Sequence, residues 1–164
     1  MKFSKAISGA VALAVAIPAA ASAQDVTAAD PQGMTELLDM AGYGAELGKD
    51  NAGDPMITAE FGGRSARVFF YGCDEETKAD CDAVQLSVGF DREDAWTAQE
   101  AIQLSKDFRF AAVSLDDEGD PYVTWDIVTG EGIPAKVFLR SIVLYSDMIS
   151  EADRIIFAAE RGQE

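Results

Sequence analysis

Two cysteines, 29 acidic residues and no histidine bound the chemistry open to this 164-residue chain. Cys73 and Cys81 enclose a polar stretch, residues 74–80, in which Asp74, Glu75, Glu76 and Asp80 crowd the single Lys78. A reactive thiolate needs cationic neighbours or a helix N-terminus to lower its pKa, so this spacing predicts a structural disulfide rather than a redox pair. Two thiols without histidine also leave a transition metal short of ligands. A serine nucleophile would need an activating base, and Lys49, Lys78, Lys106 and Lys136 stand in no recognisable motif with Ser. Gly62-Gly63 and Gly130-x-Gly132 lack the spacing and the lysine of a phosphate-binding loop. The expectation is no catalytic residue, no cofactor and no metal.

Two rival chemistries survive this reading. Asp116-Asp117-Glu118-Gly119-Asp120 places four acids in five positions, and oxygen-rich loops suit calcium. Pro121 at the sixth position and no bidentate Glu at the twelfth argue against an EF-hand, so a hairpin turn is the favoured reading and an acidic calcium-responsive module the alternative. A hydrolase working with paired carboxylates is the other alternative; with so many acids, pairs arise by chance and read as solvated surface.

Charge sets the partners. Thirteen bases against 29 acids give a net charge of −16, which repels phosphate backbones and anionic lipid surfaces alike. Nucleic acid and membrane are excluded as partners, and a protein partner, with a homodimer as one form of it, is left. The chain is 48% apolar, too rich for an acidic disordered tail.

The start of the chain reads as an address. Lys2 and Lys5 precede an uncharged run from Ala6 to Ala20, and Ala21-Ser22-Ala23 is a small-x-small site. This is the three-part pattern of a signal peptide, cleaved after Ala23, and the run is too short and Ala-rich to span a bilayer. The mature protein is expected in the periplasm or outside the cell, where a disulfide persists. Residues 24–32 read as a flexible leader, and residues 33–164 as one domain.

The elements that must position these groups follow from periodicity. Met34, Leu37, Leu38 and Ala41 form a helical stripe stopped by Gly42. Residues 43–49 and 56–61 read as strands joined by a turn, residues 66–71 as a third, and the alternation of Val84, Leu86, Val88 and Phe90 as a fourth, antiparallel to the third across the cysteine loop. Residues 91–94 supply an acidic start for a helix through Trp96 to Lys106. Two further strands flank residues 116–121; if paired positions sum to 237, Val123, Trp125, Ile127, Phe110 and Ala112 share the core face, and Arg109 lies diagonal to Asp126. In a last helix over 134–160, Phe138, Ile142, Tyr145, Ile149, Ala152 and Ile156 form a core stripe. Leu139, Val143 and Leu144 are among the residues that widen it, by burial or for a partner. With Arg109 and Asp126 they form the candidate interaction surface. The order α-β-β-β-β-α-β-β-α makes an α+β domain, a mostly antiparallel twisted sheet packed against helices.

The segment Phe108-Arg109-Phe110 through Asp116-Asp117-Glu118-Gly119-Asp120-Pro121, with Trp125-Asp126, the final helix and Tyr71-Gly72-Cys73 with Cys81 upstream, resembles the secreted two-cysteine members of the YbjN family of bacterial sensory transduction regulators. The likeness spans roughly residues 33 to 158. The family's usual Trp-Asn pair is replaced here by Leu104-Ser105, so no role of that pair carries over. The resemblance implies a fold similar to type III secretion chaperones, often dimeric, and no catalytic residues. The expected function is a non-enzymatic, chaperone-like or protein-binding role, regulatory in kind.

Overall fold

A computed structural model describes residues 25–162. The expected signal segment, its cleavage point and Gln24 lie outside these residues. In chain order the elements are β1 (Asp25–Val26), α1 (Pro31–Met40), β2 (Glu46–Lys49), β3 (Pro55–Phe61), β4 (Arg64–Tyr71), β5 (Ala83–Gly89), α2 (Ala98–Asp107), β6 (Ala112–Leu115), β7 (Pro121–Val128), β8 (Ile133–Pro134), α3 (Ala135–Ile156) and α4 (Ala158–Arg161). Strands β2 to β7 form one antiparallel sheet in the order β2-β3-β4-β5-β7-β6, while β1 and β8 pair separately. The architecture is the α+β arrangement expected.

Alternation decides which face is covered. Ile57, Ala59 and Phe61 of β3, Ala66, Val68 and Phe70 of β4, Val84, Leu86 and Val88 of β5, and Val123 and Ile127 of β7 all point to one side and are buried. All six residues of the α3 stripe are buried against that side, together with Met34 and Leu38 of α1 and Leu104 of α2. Burying each Val, Leu, Ile, Phe or Met side chain among them contributes about 1.5–3 kcal/mol. Thr58, Arg67, Ser87, Thr124 and Ala112 lie side by side across five strands of the opposite, polar face.

Three expectations need correction. Residues 25–32 are no loose leader: Val26 and Ala28 are buried, β1 pairs with β8, and the Ala28 N–H donates to the Thr129 hydroxyl at 2.8 Å. Asp30 caps α1 by accepting from the Gly33 N–H, and Pro31 sits in the first turn, where its missing donor costs nothing. The acids at 91–94 do not start α2 either. Thr97 does, through a capping box in which its hydroxyl accepts from the Glu100 N–H while the Glu100 carboxylate accepts from the Thr97 N–H at 2.8 Å.

The third correction concerns register. Val113 faces Val123 and Leu115 faces Pro121, a one-residue slip from the expected pairing. The Asp116 carboxylate accepts the N–H groups of Glu118 and Asp120, both at 2.9 Å, and Gly119 takes φ +86°, so the loop holds three residues rather than two. A slip of one exchanges the faces of a strand. Ala112 is therefore exposed and Val113 and Leu115 are the half-buried pair; Phe110 lies outside β6 at a positive φ and is exposed as well.

Burial accounts for only part of the width of the last helix. Met148 and Phe157 are buried, whereas Val137, Val143 and Leu144 remain exposed. Its N-terminus is not Pro134, which lies in β8 and precedes the first helical residue, and the helical run is broken at Phe157 before α4.

Candidate functional site

Cys73 and Cys81 are bonded. The bridge closes the connection between β4 and β5, two central strands, and Cys81 belongs to the core. Within the loop, Asp74 accepts from the Thr77 N–H at 2.8 Å, the Thr77 hydroxyl at 2.9 Å and the Glu76 N–H at 3.0 Å. Those bonds, the Thr77 amide first, hold its carboxyl below the ordinary value. Asp74 thus shapes the loop.

The acidic hairpin behaves alike. Besides the two amides held by Asp116, the Asp120 carboxylate accepts from the Arg92 N–H at 3.0 Å. Among the described residues no three acidic or cysteine side chains converge as cation ligands. For a carboxylate hydrolase one acid must be pushed up to donate a proton. Here Asp74, Glu100, Glu151 and Asp153 are all held down. Of the lysines, Lys78 pairs with Asp54 at 3.5 Å and Lys106 donates to Gln103 at 3.2 Å, so neither serves a serine.

The expected pair of Arg109 and Asp126 is not brought together. Arg109 lies in the turn between α2 and β6, outside either element, and Asp126 instead accepts from Gln85 Nε2 at 2.8 Å across the β5–β7 pair. The register slip is the reason. Leu139 is half-buried, whereas Val143 and Leu144 are exposed on α3. Leu139 and Val143 share one line of that helix, and Leu144 lies on another with Val137.

What periodicity missed is Phe110. Its φ is +69°, an outlier for a bulky residue. Its ring is 74% exposed yet lies stacked on Trp125 at 5.3 Å. Trp125 in turn meets the buried ring of Tyr145 edge-on at 6.3 Å. A backbone held in this conformation presents an aromatic shelf beside β6, one of the two edge strands of the sheet. The sequence signals were Arg109-Phe110 within the family-like segment and the core face that Phe110 and Trp125 are expected to share.

A second feature lies between α2 and the end of α3, an open groove of about 370 Å³ floored by Trp96, Leu104, Ile155 and Ala159. Leu104-Ser105, where the resemblance departs from its pattern, are structural: Leu104 is buried and the Ser105 hydroxyl donates to the Ala101 carbonyl at 3.0 Å. Among the described residues no helix is long and apolar enough to cross a membrane.

With this geometry stand two comparisons. A family model, YbjN, described as "Putative bacterial sensory transduction regulator", matches residues 30–157. No curated protein matches the chain.

Proposed function

The chain belongs to the YbjN family, and from that premise we propose that it is a non-enzymatic regulatory protein that works by binding other polypeptides in a chaperone-like manner after export to the periplasm or beyond. One observation carries the reading: the Phe110 ring, exposed on a strained backbone and stacked on Trp125 beside an edge strand. Strain of this kind costs about 1–3 kcal/mol and persists where the surroundings enforce it, often at binding sites. An edge strand offers unpaired N–H and C=O groups to an extended partner segment, and an adjoining aromatic supplies the anchor. The disulfide supports the proposed compartment, since such bonds persist where the surroundings are oxidising.

Phe110→Ser tests the shelf. The exposed position predicts an unchanged circular dichroism spectrum, and affinity for proteins retained from periplasmic extract by the wild-type chain should fall by about tenfold or more. Light scattering on both proteins separates the forms of partner: loss of a dimer on substitution identifies a second copy as the occupant. A folded variant that retains the same proteins with the same affinity and mass would remove the proposal.

A further inference from the structure

The groove between α2 and the end of α3 carries its own signature. On α2, Gln99, Gln103 and Asp107 recur every fourth residue as a polar rim, with Glu100 beside them, above an apolar floor. Arg92, the one cation lining it, makes its direct contacts with other groups. Its Nη1 donates to the Ile156 carbonyl, its Nε to the Asp94 carbonyl at 2.9 Å, and its Nη2 pairs with Glu160 at 3.2 Å; the side chain is 6% exposed. Glu100 and Asp107 form no ion pair among the described residues. The Thr97 amide and hydroxyl, with a smaller contribution from the charge of Arg92, hold the Glu100 carboxyl below its ordinary value, so that side of the rim stays anionic.

An apolar floor under carboxylates with no directly paired cation selects its occupant. Anionic amphiphiles and lipid headgroups are repelled, as they are by the chain's net charge of −16. The volume lies near the lower end of the roughly 300–1,000 Å³ of ligand sites, room for one or two large side chains projecting from a passing chain. We propose that the groove docks a basic amphipathic segment of a partner polypeptide, whose apolar side chains fill the floor while its Lys or Arg residues face Glu100 and Asp107. This rests on the protein-binding reading above and adds a second contact surface with a stated partner chemistry.

The probe is a fluorescein-labelled peptide carrying two leucines flanked by four lysines, titrated against the full mature chain by fluorescence polarisation. Its two controls replace the leucines with alanine or the lysines with glutamate. Both controls should bind at least about tenfold more weakly. Ala159→Trp fills the groove from an exposed position and should weaken the first peptide by about tenfold, with an unchanged circular dichroism spectrum. Asp107→Lys should weaken it by about threefold or more and flatten its salt dependence. Equal affinity of a folded Ala159→Trp, or of the alanine control, overturns the inference. Phe110→Ser, run in parallel, separates the two surfaces. Should it alone abolish peptide binding, the groove falls and the shelf stands; should Ala159→Trp alone abolish it, the groove stands whatever becomes of the shelf.

Discussion

Tyr145 ties the helical layer to the sheet by more than apolar contact. Its hydroxyl donates to the Val123 carbonyl at 2.7 Å from a fully buried position, and its ring meets Phe61 and Trp125 edge-on at 5.7 and 6.3 Å. Burial pushes the phenol far above its ordinary value, so it stays protonated and remains a donor at any physiological pH. Tyr145→Phe keeps the rings and deletes the bond, leaving the Val123 carbonyl with its β5 partner alone. The expected loss is about 1–2 kcal/mol, read as a lower urea midpoint at constant slope; an unchanged midpoint would show that the β5 partner alone satisfies the carbonyl. At this scale Cys73 and Cys81 were legible, because spacing and charge alone distinguish a staple from a reactive pair. Phe110 was not, since a positive φ in a bulky residue is imposed by the surrounding structure and leaves no local pattern.

Among the elements, what could be read was what repeats. The six-residue stripe of α3 and the alternation of Val84, Leu86 and Val88 are each fixed by a period that burial enforces, and all of those residues are buried. What could not be read was where a period begins. Thr97-x-x-Glu100 carried the start of α2, yet the acids at 91–94 offered a competing one. In the β6–β7 hairpin, the side chain of Asp116 chose the loop length, and with it the fate of Arg109 and Asp126. The leader failed for a related reason: Val26 and Ala28 are too few to show a period, and only Asp30-Pro31 signalled a cap. The β4–β5 connection allows a direct test. Closing a loop this short constrains the unfolded chain by about 2–3 kcal/mol, so Cys73→Ala with Cys81→Ala should unfold at correspondingly lower urea while remaining native without denaturant. Wild-type protein with and without reductant should show the same gap, and coincident curves would contradict a stabilising role for the bridge.

For the whole molecule, Asp153 joins three parts of the fold. It pairs with Arg64 of the β3–β4 hairpin and with Arg161 of α4, and both guanidiniums lie near the Phe157 ring, at 4.7 and 5.7 Å from its centroid. Partial burial works to raise the Asp153 carboxyl, but hydrogen bonds from Arg161 and Arg64 outweigh it and hold the group below the ordinary 3.8. A depressed carboxyl means that the unfolded chain binds more protons in this range. The resulting stability is fully present above about pH 5 and is lost as pH falls through the folded value. With no histidine in the chain, no side chain of ordinary pKa titrates between about pH 6 and 8, so thermal stability should be level there. Repulsion among the 29 acids opposes folding at neutral pH, but about 0.15 M salt screens exposed charges beyond roughly 8 Å, whereas Asp153 sits directly against its partners. Asp153→Asn should therefore lose roughly 1–2 kcal/mol at pH 7. Its deficit should shrink as pH falls below the ordinary carboxylate value and close once the wild-type carboxyl is itself protonated. Thermal unfolding of both proteins at pH 7, 5, 3 and 2 in constant salt measures that difference, and a gap of equal size at every pH would mean that Asp153 acts through shape rather than charge.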